Sequence, residues 1–271
     1  LDSSGHRLTE RYRPDFRELT LDYLGLDRMT LDHWPQGLGL GALANIGELS
    51  LRDNNLRVLP GMLLNSHADA RPHTVITLEG NRISDDQLLR LLLAQEASSP
   101  NVTVDISPGL RTRLDQHLQQ RQALHEAIDQ WANASSSSAP PSQAATLARR
   151  RIGSALSTFW QSQEQGLTQT TLRLEDMDLG HFPPQLPAFF NERVRNLSLS
   201  RASGSTEQLD AFLARLPNVE SLNLVEYIGA TQTLPPSLLR LPRLTNLSMR
   251  DMNLEVDDSM LATLAHLSNL T

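Results

Sequence analysis

Apolar residues recur along this chain at a fixed internal spacing. In the most complete copy they occupy the first, fourth, sixth and eleventh positions, and Asn occupies the ninth; these positions are filled by Ile46, Leu49, Leu51, Leu56 and Asn54. Alternation of apolar and polar residues over such a short stretch is typical of a strand with one buried face. The pattern therefore predicts one short strand per copy, followed by a segment that leads to the next strand.

Eight copies of this pattern form two arrays. The steps between their first positions are 30, 27 and 26 residues, then a gap of 70, then three steps of 25, with first positions at Phe16, Ile46, His73, Ser99, Gln169, Val194, Val219 and Leu244. A consensus of this form at a period of about 20 to 29 residues is that of the leucine-rich repeat. We predict an α/β fold, a leucine-rich-repeat solenoid in which a curved parallel sheet has helical or irregular returns. Strands are expected at Leu19–Leu21, Leu49–Leu51, Ile76–Leu78, Val102–Val104, Leu172–Leu174, Leu197–Leu199, Leu222–Leu224 and Leu247–Met249.

The ninth position of the consensus has a predicted structural role. Asn54 and Asn81 are expected to bind backbone groups of adjacent turns, where the chain bends out of its strand. The other copies carry an apolar residue there, at Leu24, Met177, Ala202, Tyr227 and Met252. In those copies backbone groups or water are expected to take over this role.

The returns between strands are of two kinds. Ser84 with Gln87, and Ser205 with Gln208, have the spacing of capping boxes, which predicts helical returns. Other returns contain Pro, which disfavours a helix interior. These are expected to be short extended or single-turn segments, at Pro60, Pro183-Pro184, Pro187 and Pro235-Pro236.

The 70-residue gap predicts a helical hairpin. Pro108 starts a stripe near helical period that runs through Leu110, Leu114, Leu118, Leu124, Ile128 and Trp131, and a second stripe follows from Leu147 to Phe159. The Ser-rich stretch between them is low in complexity. We therefore divide the chain into an N-terminal array (1–107), a hairpin (108–165) with a flexible linker (133–144), and a C-terminal array (166–271). The hairpin either covers the ends of the arrays, which we favour, or serves as a partner-binding arm or hinge.

Composition narrows the possible chemistry. The chain has 271 residues, a net charge of −7, no Cys, and 24 basic residues, all of them Arg. The absence of Lys fits either a GC-rich genome or avoidance of Lys as an acceptor for ubiquitin. Without Cys, thiol nucleophiles and thiolate metal ligands are excluded within these residues. Because the chain starts without Met and stops where a ninth repeat would begin, we expect it to be a fragment of a longer protein.

The sequence contains no candidate catalytic or ligand site. The eight His are scattered, and no nucleophile and base are grouped, so we expect no catalytic residue, no metal site and no cofactor. The run Arg149-Arg150-Arg151 is interpreted as a solvated helix face rather than a nucleic-acid site, because the chain is acidic. No stretch reaches the roughly 18 apolar residues of a membrane span.

Strand alternation predicts a binding surface. Residues between the leucine positions point away from the core, towards the concave side of a solenoid. Ser50 and Thr77 are expected on this face, as are the predicted partner-binding residues Arg52, Asp53, Arg173, Glu175, Arg195, Arg201, Glu226, Arg250 and Asp251. Mixed rows of Arg and acidic residues suit a charged protein surface. Four of them, Arg173, Arg195, Arg201 and Arg250, are predicted to form a ladder of guanidinium groups on successive strands.

Several motifs resemble a known family. The Pro-rich turn 234–238, the motif Leu241-Pro242-Arg243-Leu244, the segment from Arg121 to Trp131 and the later Phe159-Trp160 are similar to the leucine-rich-repeat region of Gram-negative bacterial effectors of the NEL-type, IpaH-like ubiquitin-ligase family. The resemblance covers roughly residues 16–271 and depends mainly on the order array, hairpin, array. It implies a module that recognises substrates and inhibits its own ligase domain. The family's catalytic cysteine lies in a separate C-terminal domain, and no position here matches it.

Two functions follow as hypotheses. The first is the substrate-recognition module of a ubiquitin-ligase effector, secreted by the bacterium and acting in the host cytoplasm; its partners would be a host protein on the concave face and a C-terminal catalytic domain of the same chain. The second is a stand-alone binding or adhesion protein without enzymatic activity. A cytoplasmic location is the alternative to secretion. The sequence that follows Thr271 would discriminate between them.

Overall fold

The computed structural model describes residues 20–65, 74–96, 102–134, 143–166, 170–229, 234–252 and 264–265. The chain divides into two compact units, Leu1–Leu118 and Gln119–Thr271. Within the described residues each unit contains one parallel four-stranded sheet, with strands in sequence order. The prediction of a mixed α/β fold is confirmed. The predicted linker lies mostly outside the described residues, at 135–142, and the three-part division of the chain stays a prediction.

Unit 1 alternates strands with short returns. Its elements are β1 (Leu21–Gly25), α1 (Leu40–Leu43), β2 (Ile46–Ser50), a 3-10 turn (Gly61–Asn65), β3 (Thr74–Thr77), α2 (Asp85–Glu96), β4 (Val102–Asp105) and the start of α3 (Pro108–Asn133). Because side chains alternate along each strand, the inward ones form a continuous core. That core includes Leu49, Leu51, Ile76 and Val104, all at most 5% exposed.

Unit 2 follows the same plan after a pair of helices. It begins within α3 and continues with α4 (Gln143–Glu164), β5 (Thr171–Glu175), a 3-10 turn (Leu179–His181), α5 (Ala188–Asn191), β6 (Asn196–Ser200), α6 (Thr206–Leu213), β7 (Ser221–Val225), a 3-10 turn (Pro236–Arg240) and β8 (Asn246–Arg250). The returns that contain Pro are single turns, as predicted, because Pro removes a helical hydrogen bond and fixes its own φ.

Strand register confirms the predicted alignment in unit 2. Leu172 pairs with Leu197, Leu197 with Leu222, and Leu222 with Leu247, at a constant step of 25 residues. A constant step keeps equivalent leucines beside one another. Their inward side chains therefore stack along the sheet in one core.

The predicted alignment in unit 1 is wrong at both ends. Leu24 pairs with Leu49, and Ile76 with Val104, so the first and last steps are 25 and 28 residues rather than 30 and 26. The strand predicted at Leu19–Leu21 is displaced to Leu21–Gly25, and Phe16 and Leu19 lie outside the described residues. Leucines at 19, 21, 24 and 26 satisfy the consensus in two alignments, and pairing with β2 selects the later one.

The helices α3 and α4 pack antiparallel in unit 2. Ile128 lies against Gly153, where a Cβ would clash with it, and the Nη1 group of Arg149 donates to the carbonyl of Ala134 at 2.7 Å. Ile152, Leu156, Phe159 and Trp160 face the core beside β5. The helix pair therefore covers the apolar end of the second sheet, and the prediction that it covers the ends of both arrays stays a prediction. In unit 1 the early turns of α3 contribute Leu110 and Leu114 to a cluster with α2.

A network of charged and aromatic side chains links α3, α4 and Arg193 within unit 2. Glu164 is 6% exposed and accepts hydrogen bonds from Arg121 at 2.8 and 3.1 Å and from the indole of Trp160 at 2.9 Å. The guanidinium of Arg193 lies 4.4 Å from the centre of the Trp160 ring and donates to Gln120 at 3.2 Å. Burial lowers the pKa of Arg193, and the charge of Glu164 opposes that shift. Each charge thus has a partner, which offsets its desolvation.

The bends after the strands are satisfied differently in the two units. In unit 1 the amide of Asn54 donates to the carbonyls of Leu26 and Leu51 at 2.8 and 3.0 Å and accepts from the N–H of Leu31 at 3.0 Å. Asn81 bonds Leu51, Leu78 and Leu56 in the same way, as predicted.

In unit 2 the backbone makes the corresponding contacts. The N–H groups of Leu179, Ser203 and Ile228 donate to carbonyl groups across neighbouring bends at 2.8 Å. Met177 and Ala202, at the ninth position, are buried apolar residues. The prediction that backbone groups replace Asn here is confirmed.

The two predicted helix caps differ in completeness. Ser205 and Gln208 form a full capping box at the start of α6, with each side chain bonded to the other's backbone N–H. Before α2, Ser84 accepts from the N–H of Gln87 at 3.3 Å, but the side-chain oxygen of Gln87 is buried without a hydrogen-bond partner. The capping box predicted before α2 is therefore confirmed only for its Ser84 half.

Candidate functional site

The outward positions of β5 to β8 form an ordered surface in unit 2. Burial alternates along β5, β6 and β7, with leucine positions inward and the intervening positions half-buried or exposed. In β8 the inward Leu247 and Met249 are only half-buried. Parallel register sets the outward residues in rows. We call this surface the sheet face; its central row is Arg173, Ser198, Asn223 and Ser248, and the row nearest the strand ends is Glu175, Ser200, Val225 and Arg250.

A charged residue in a left-handed conformation follows each of these strands. Asp176, Arg201, Glu226 and Asp251 have φ between 49 and 52°. Such a conformation is uncommon for residues other than Gly and is unfavourable by about 1 kcal/mol or more. Ladder hydrogen bonds offset this cost, because the N–H groups of Asp176, Arg201 and Glu226 donate to the next strand at 2.9 to 3.0 Å. The bend thus directs one charged side chain per strand along the edge of the sheet face.

Sequence reasoning selected Arg201, Glu226 and Asp251 as binding residues but did not foresee this conformation. A signal was present, because Asp occurs at the eighth consensus position in three copies, at Asp53, Asp176 and Asp251. Asp tolerates the left-handed region better than most residues do. In unit 1 the equivalent residues Arg28 and Asp53 also have positive φ, at 55 and 53°.

One ion pair dominates the row at the strand ends. Arg201 donates to both carboxylate oxygens of Asp176, at 2.6 and 3.0 Å, and lies 3.9 Å from Glu175. The hydrogen bond from Arg201 lowers the pKa of Asp176, and the same contact raises the pKa of Arg201. Glu175, Glu226 and Asp251 remain exposed around this pair. The edge is therefore acidic, with Arg201 already engaged.

The predicted guanidinium ladder is wrong. Arg173 pairs with Ser198, and Arg250 with Val225, while Arg195 precedes β6 and Arg201 follows it. The four side chains thus occupy four different positions across the strands, because the 25-residue register aligns Arg173 with polar residues rather than with other arginines. Arg195 is also engaged, with Glu220 at 2.9 Å. Hydroxyl and amide groups fill the row where the ladder was expected.

The predicted site residues of unit 1 form a separate and smaller group. Arg52 and Asp53 follow β2; Asp53 accepts from Arg28 at 3.2 Å, and Arg52 lies 3.9 Å from Glu79. Ser50 and Thr77, expected on the same face, are buried, at 2 and 3% exposed. That expectation of exposure is wrong, and the polar face of unit 1 is less open than that of unit 2.

The sheet face presents groups that form hydrogen bonds and ion pairs. Nowhere in the described ranges do three or more His, Asp or Glu side chains converge as a metal site would require. Within the same ranges no helix has the length and apolar character needed to span a membrane. The sheet face offers hydroxyls, amides, carboxylates and guanidiniums, which suit recognition of a polar surface.

Comparison with protein-family models, with curated proteins and with solved structures gives no significant match to this chain.

Proposed function

We propose that this chain is a leucine-rich-repeat solenoid that binds a partner protein through the sheet face of unit 2. The observation that carries the proposal is the register of β5 to β8, which sets rows of polar outward side chains side by side above one buried leucine stack. A row with strands about 4.8 Å apart can contact one partner surface with several side chains at once. A buried core beneath it holds those side chains in place before binding, which lowers the entropic cost of association.

The proposed partner has a mixed polar and basic surface. Ser198, Asn223 and Ser248 can donate and accept hydrogen bonds in the central row. Exposed carboxylates at Glu175, Glu226 and Asp251 border this row and complement arginine or lysine side chains. Arg173 and Arg250 add two exposed guanidiniums that can bind carboxylates.

We further propose that this recognition serves a ubiquitin ligase, with the chain secreted by a bacterium and acting on a host protein. The resemblance to NEL-type effectors supports this, and so does the absence of Lys, which would leave no side-chain acceptor for ubiquitin within these residues. The proposed role is recognition only, since no Cys is present to carry a ubiquitin thioester. A stand-alone binding or adhesion protein is the alternative.

Capture from eukaryotic lysate with two matched variants tests the binding surface. Ser198→Arg with Ser248→Arg places two bulky cations in the central row. Ala211→Arg with Ala214→Arg makes the same charge change at exposed positions on and next to α6. We avoid Arg195 and Arg201 because each is already in an ion pair.

The sheet-face variant should lose proteins that the wild type and the α6 variant both retain, as measured by quantitative mass spectrometry. Identical captured proteins from all three would refute binding through the sheet face. An assay with ubiquitin, activating enzyme and conjugating enzyme should give no transfer by this chain alone. Transfer would overturn the recognition-only assignment.

A further inference from the structure

A groove lies between α4 and β5, within unit 2. Its volume is about 450 Å³. Arg151, Ser154, Ala155 and Thr158 line it from α4, and Arg173 lines it from β5. The α4 residues are three or four positions apart, which places them on one face of the helix. The groove is therefore built by regular elements.

The groove is positively charged in an acidic chain. Arg151 and Arg173 are exposed, and no carboxylate is among the residues that line it. Neither guanidinium has an ion-pair partner within 4 Å among the described residues. Arg195 and Arg201, on the same sheet, are engaged by Glu220 and Asp176. Arg151 and Arg173 thus face one cavity without an ion pair, and Arg151, after Arg201, is one of the charges that lower the pKa of Asp176.

The lining of the groove combines hydroxyl groups with an apolar floor. Ser154 and Thr158 are exposed on α4, whereas Phe159 is 3% exposed and Ala155 half-buried. Phe159 packs edge-on against Phe190, with ring centres 5.6 Å apart, so the floor is fixed. A pocket with an apolar base and a few polar groups at its rim is typical of ligand sites.

We propose that this groove binds an extended acidic segment of a partner protein. An apolar side chain of the segment contacts Phe159, and flanking carboxylates bind Arg151 and Arg173. The α4 wall runs from Arg151 to Ser162. Eleven helical steps span about 16 Å, which matches about five residues of extended chain. The inference deepens the proposed function, on which it rests, by adding a second contact that shares Arg173 with the sheet face.

A fluorescein-labelled peptide of five residues, alternating aspartate and leucine, is the probe. Its binding to the complete 271-residue chain is measured by fluorescence anisotropy, with an alternating lysine and leucine peptide and a pentaglutamate peptide as controls. We expect saturable binding of the aspartate–leucine peptide with a Kd below about 1 mM. The lysine–leucine peptide should not bind, and pentaglutamate should bind at least about tenfold more weakly, because it lacks the apolar contact.

Two charge-matched variants locate the site. Arg151→Glu with Arg173→Glu should weaken binding by at least about tenfold. Arg150→Glu with Arg243→Glu makes the same charge change at exposed arginines outside the groove and should stay within about twofold. Thr158→Trp, which fills the groove without changing charge, should also abolish binding.

Three results would overturn the inference: no saturable binding of the aspartate–leucine peptide, equal losses in both double variants, or unchanged binding by Thr158→Trp. The proposed function fails separately. If sheet-face substitutions at Ser198 and Ser248 abolish partner capture while the peptide does not bind, the groove inference is wrong and the sheet face stands. If the peptide binds as expected but those substitutions change nothing in capture, the proposed function is wrong.

Discussion

The two sheets use different groups to satisfy the bends that follow their strands. Unit 1 buries the side chains of Asn54 and Asn81 there, and unit 2 pairs backbone groups at Ser203 and Ile228. The step between strands differs too, being 25, 27 and 28 residues in unit 1 and 25 throughout unit 2. Backbone bonds also join neighbouring bends in unit 1, from the N–H of Asn55 to Leu31 and from the N–H of Arg82 to Leu56, so the Asn side chains add to them. Unequal steps are compatible with a side chain that reaches several carbonyls.

The same contrast extends to the charged contacts of the helices. Arg121 and Glu164 in unit 2 are 21 and 6% exposed, whereas Arg113, Asp85 and Asp86 in unit 1 are 44 to 70% exposed. Because water screens exposed charges, similar ion pairs contribute differently to stability. The helix ion pair of unit 2 should therefore contribute more to stability than those of unit 1. Unit 2 also carries the more exposed polar face.

The largest expected effect is at the buried network. Glu164→Ala leaves Arg121 without its carboxylate and Trp160 without its acceptor, so unit 2 should lose about 3 to 5 kcal/mol of unfolding free energy. Asp86→Ala, the exposed counterpart, should leave the urea midpoint unchanged within error. Both can be measured from tryptophan fluorescence, since Trp34 lies in unit 1 and Trp131 and Trp160 lie in unit 2. Equal effects of the two substitutions would break the contrast between the units.

Asn54→Ala tests how much the buried asparagine side chains at the bends stabilise unit 1. Asn54 is 3% exposed and makes hydrogen bonds to several backbone groups. Its removal should destabilise unit 1 by about 3 kcal/mol, because buried carbonyl and N–H groups lose their partners. The reciprocal change, Ala202→Asn, should destabilise unit 2, where the backbone groups are already paired. Stabilisation by Ala202→Asn would show that backbone bonds at a bend stabilise unit 2 less than an Asn side chain does.

Tyr227 should make unit 2 sensitive to alkaline pH. Its hydroxyl donates to the carbonyl of Gly204 at 3.1 Å, and burial, with a smaller effect of Asp178, raises its pKa from 10.0 to about 12. A raised pKa favours the neutral, folded-state hydroxyl, so this contribution is complete below pH 10 and is lost as pH rises to about 12. The loss should be on the order of 1 to 2 kcal/mol.

Urea midpoints of the wild type and Tyr227→Phe measure this contribution. Their difference should shrink between pH 10 and pH 12, because the wild type then loses what the variant already lacks. A difference that stays constant over this range would mean that Tyr227 titrates normally.

The smallest expected effect is at the helix caps. Ser205→Ala removes the serine half of a complete capping box, a 3.3 Å hydrogen bond from the N–H of Gln208, and should cost about 1 kcal/mol. Ser84→Ala removes a bond of the same length from a cap that lacks its glutamine half, and should cost about half as much. Hydrogen exchange of the first turns of α6 and α2 reports the fraying directly. A larger acceleration of exchange at α2 in Ser84→Ala than at α6 in Ser205→Ala would reverse the order of the two caps.

Sequence alone predicted unit 2 better than unit 1 for a physical reason. A constant step leaves one alignment of the leucines in Leu172, Leu197, Leu222 and Leu247, whereas the leucines before β2 admit two. Only pairing with a neighbouring strand selects between them. Such pairing is a tertiary contact that a single strand's pattern does not contain.

The sequence predicted which residues of the candidate site point outward, but not which of them contact one another. Alternation identified the outward residues correctly in unit 2. Ion pairs such as Arg201 with Asp176 join residues 25 positions apart, and they depend on register and on left-handed bends. The groove between α4 and β5 likewise depends on how a helix packs beside a strand. Neither follows from the local spacing of residue types.

Site-specific photo-crosslinking tests the central claim, that the sheet face of unit 2 contacts a partner protein, most directly. A benzoylphenylalanine crosslinker replaces Asn223 in the central row of that face, and Ala211 on α6 serves as the matched position. After irradiation in eukaryotic lysate, the chain labelled at 223 should give a discrete adduct that excess unlabelled wild type removes, and the chain labelled at 211 should not. Equal adducts at both positions, or none at 223, would contradict the claim.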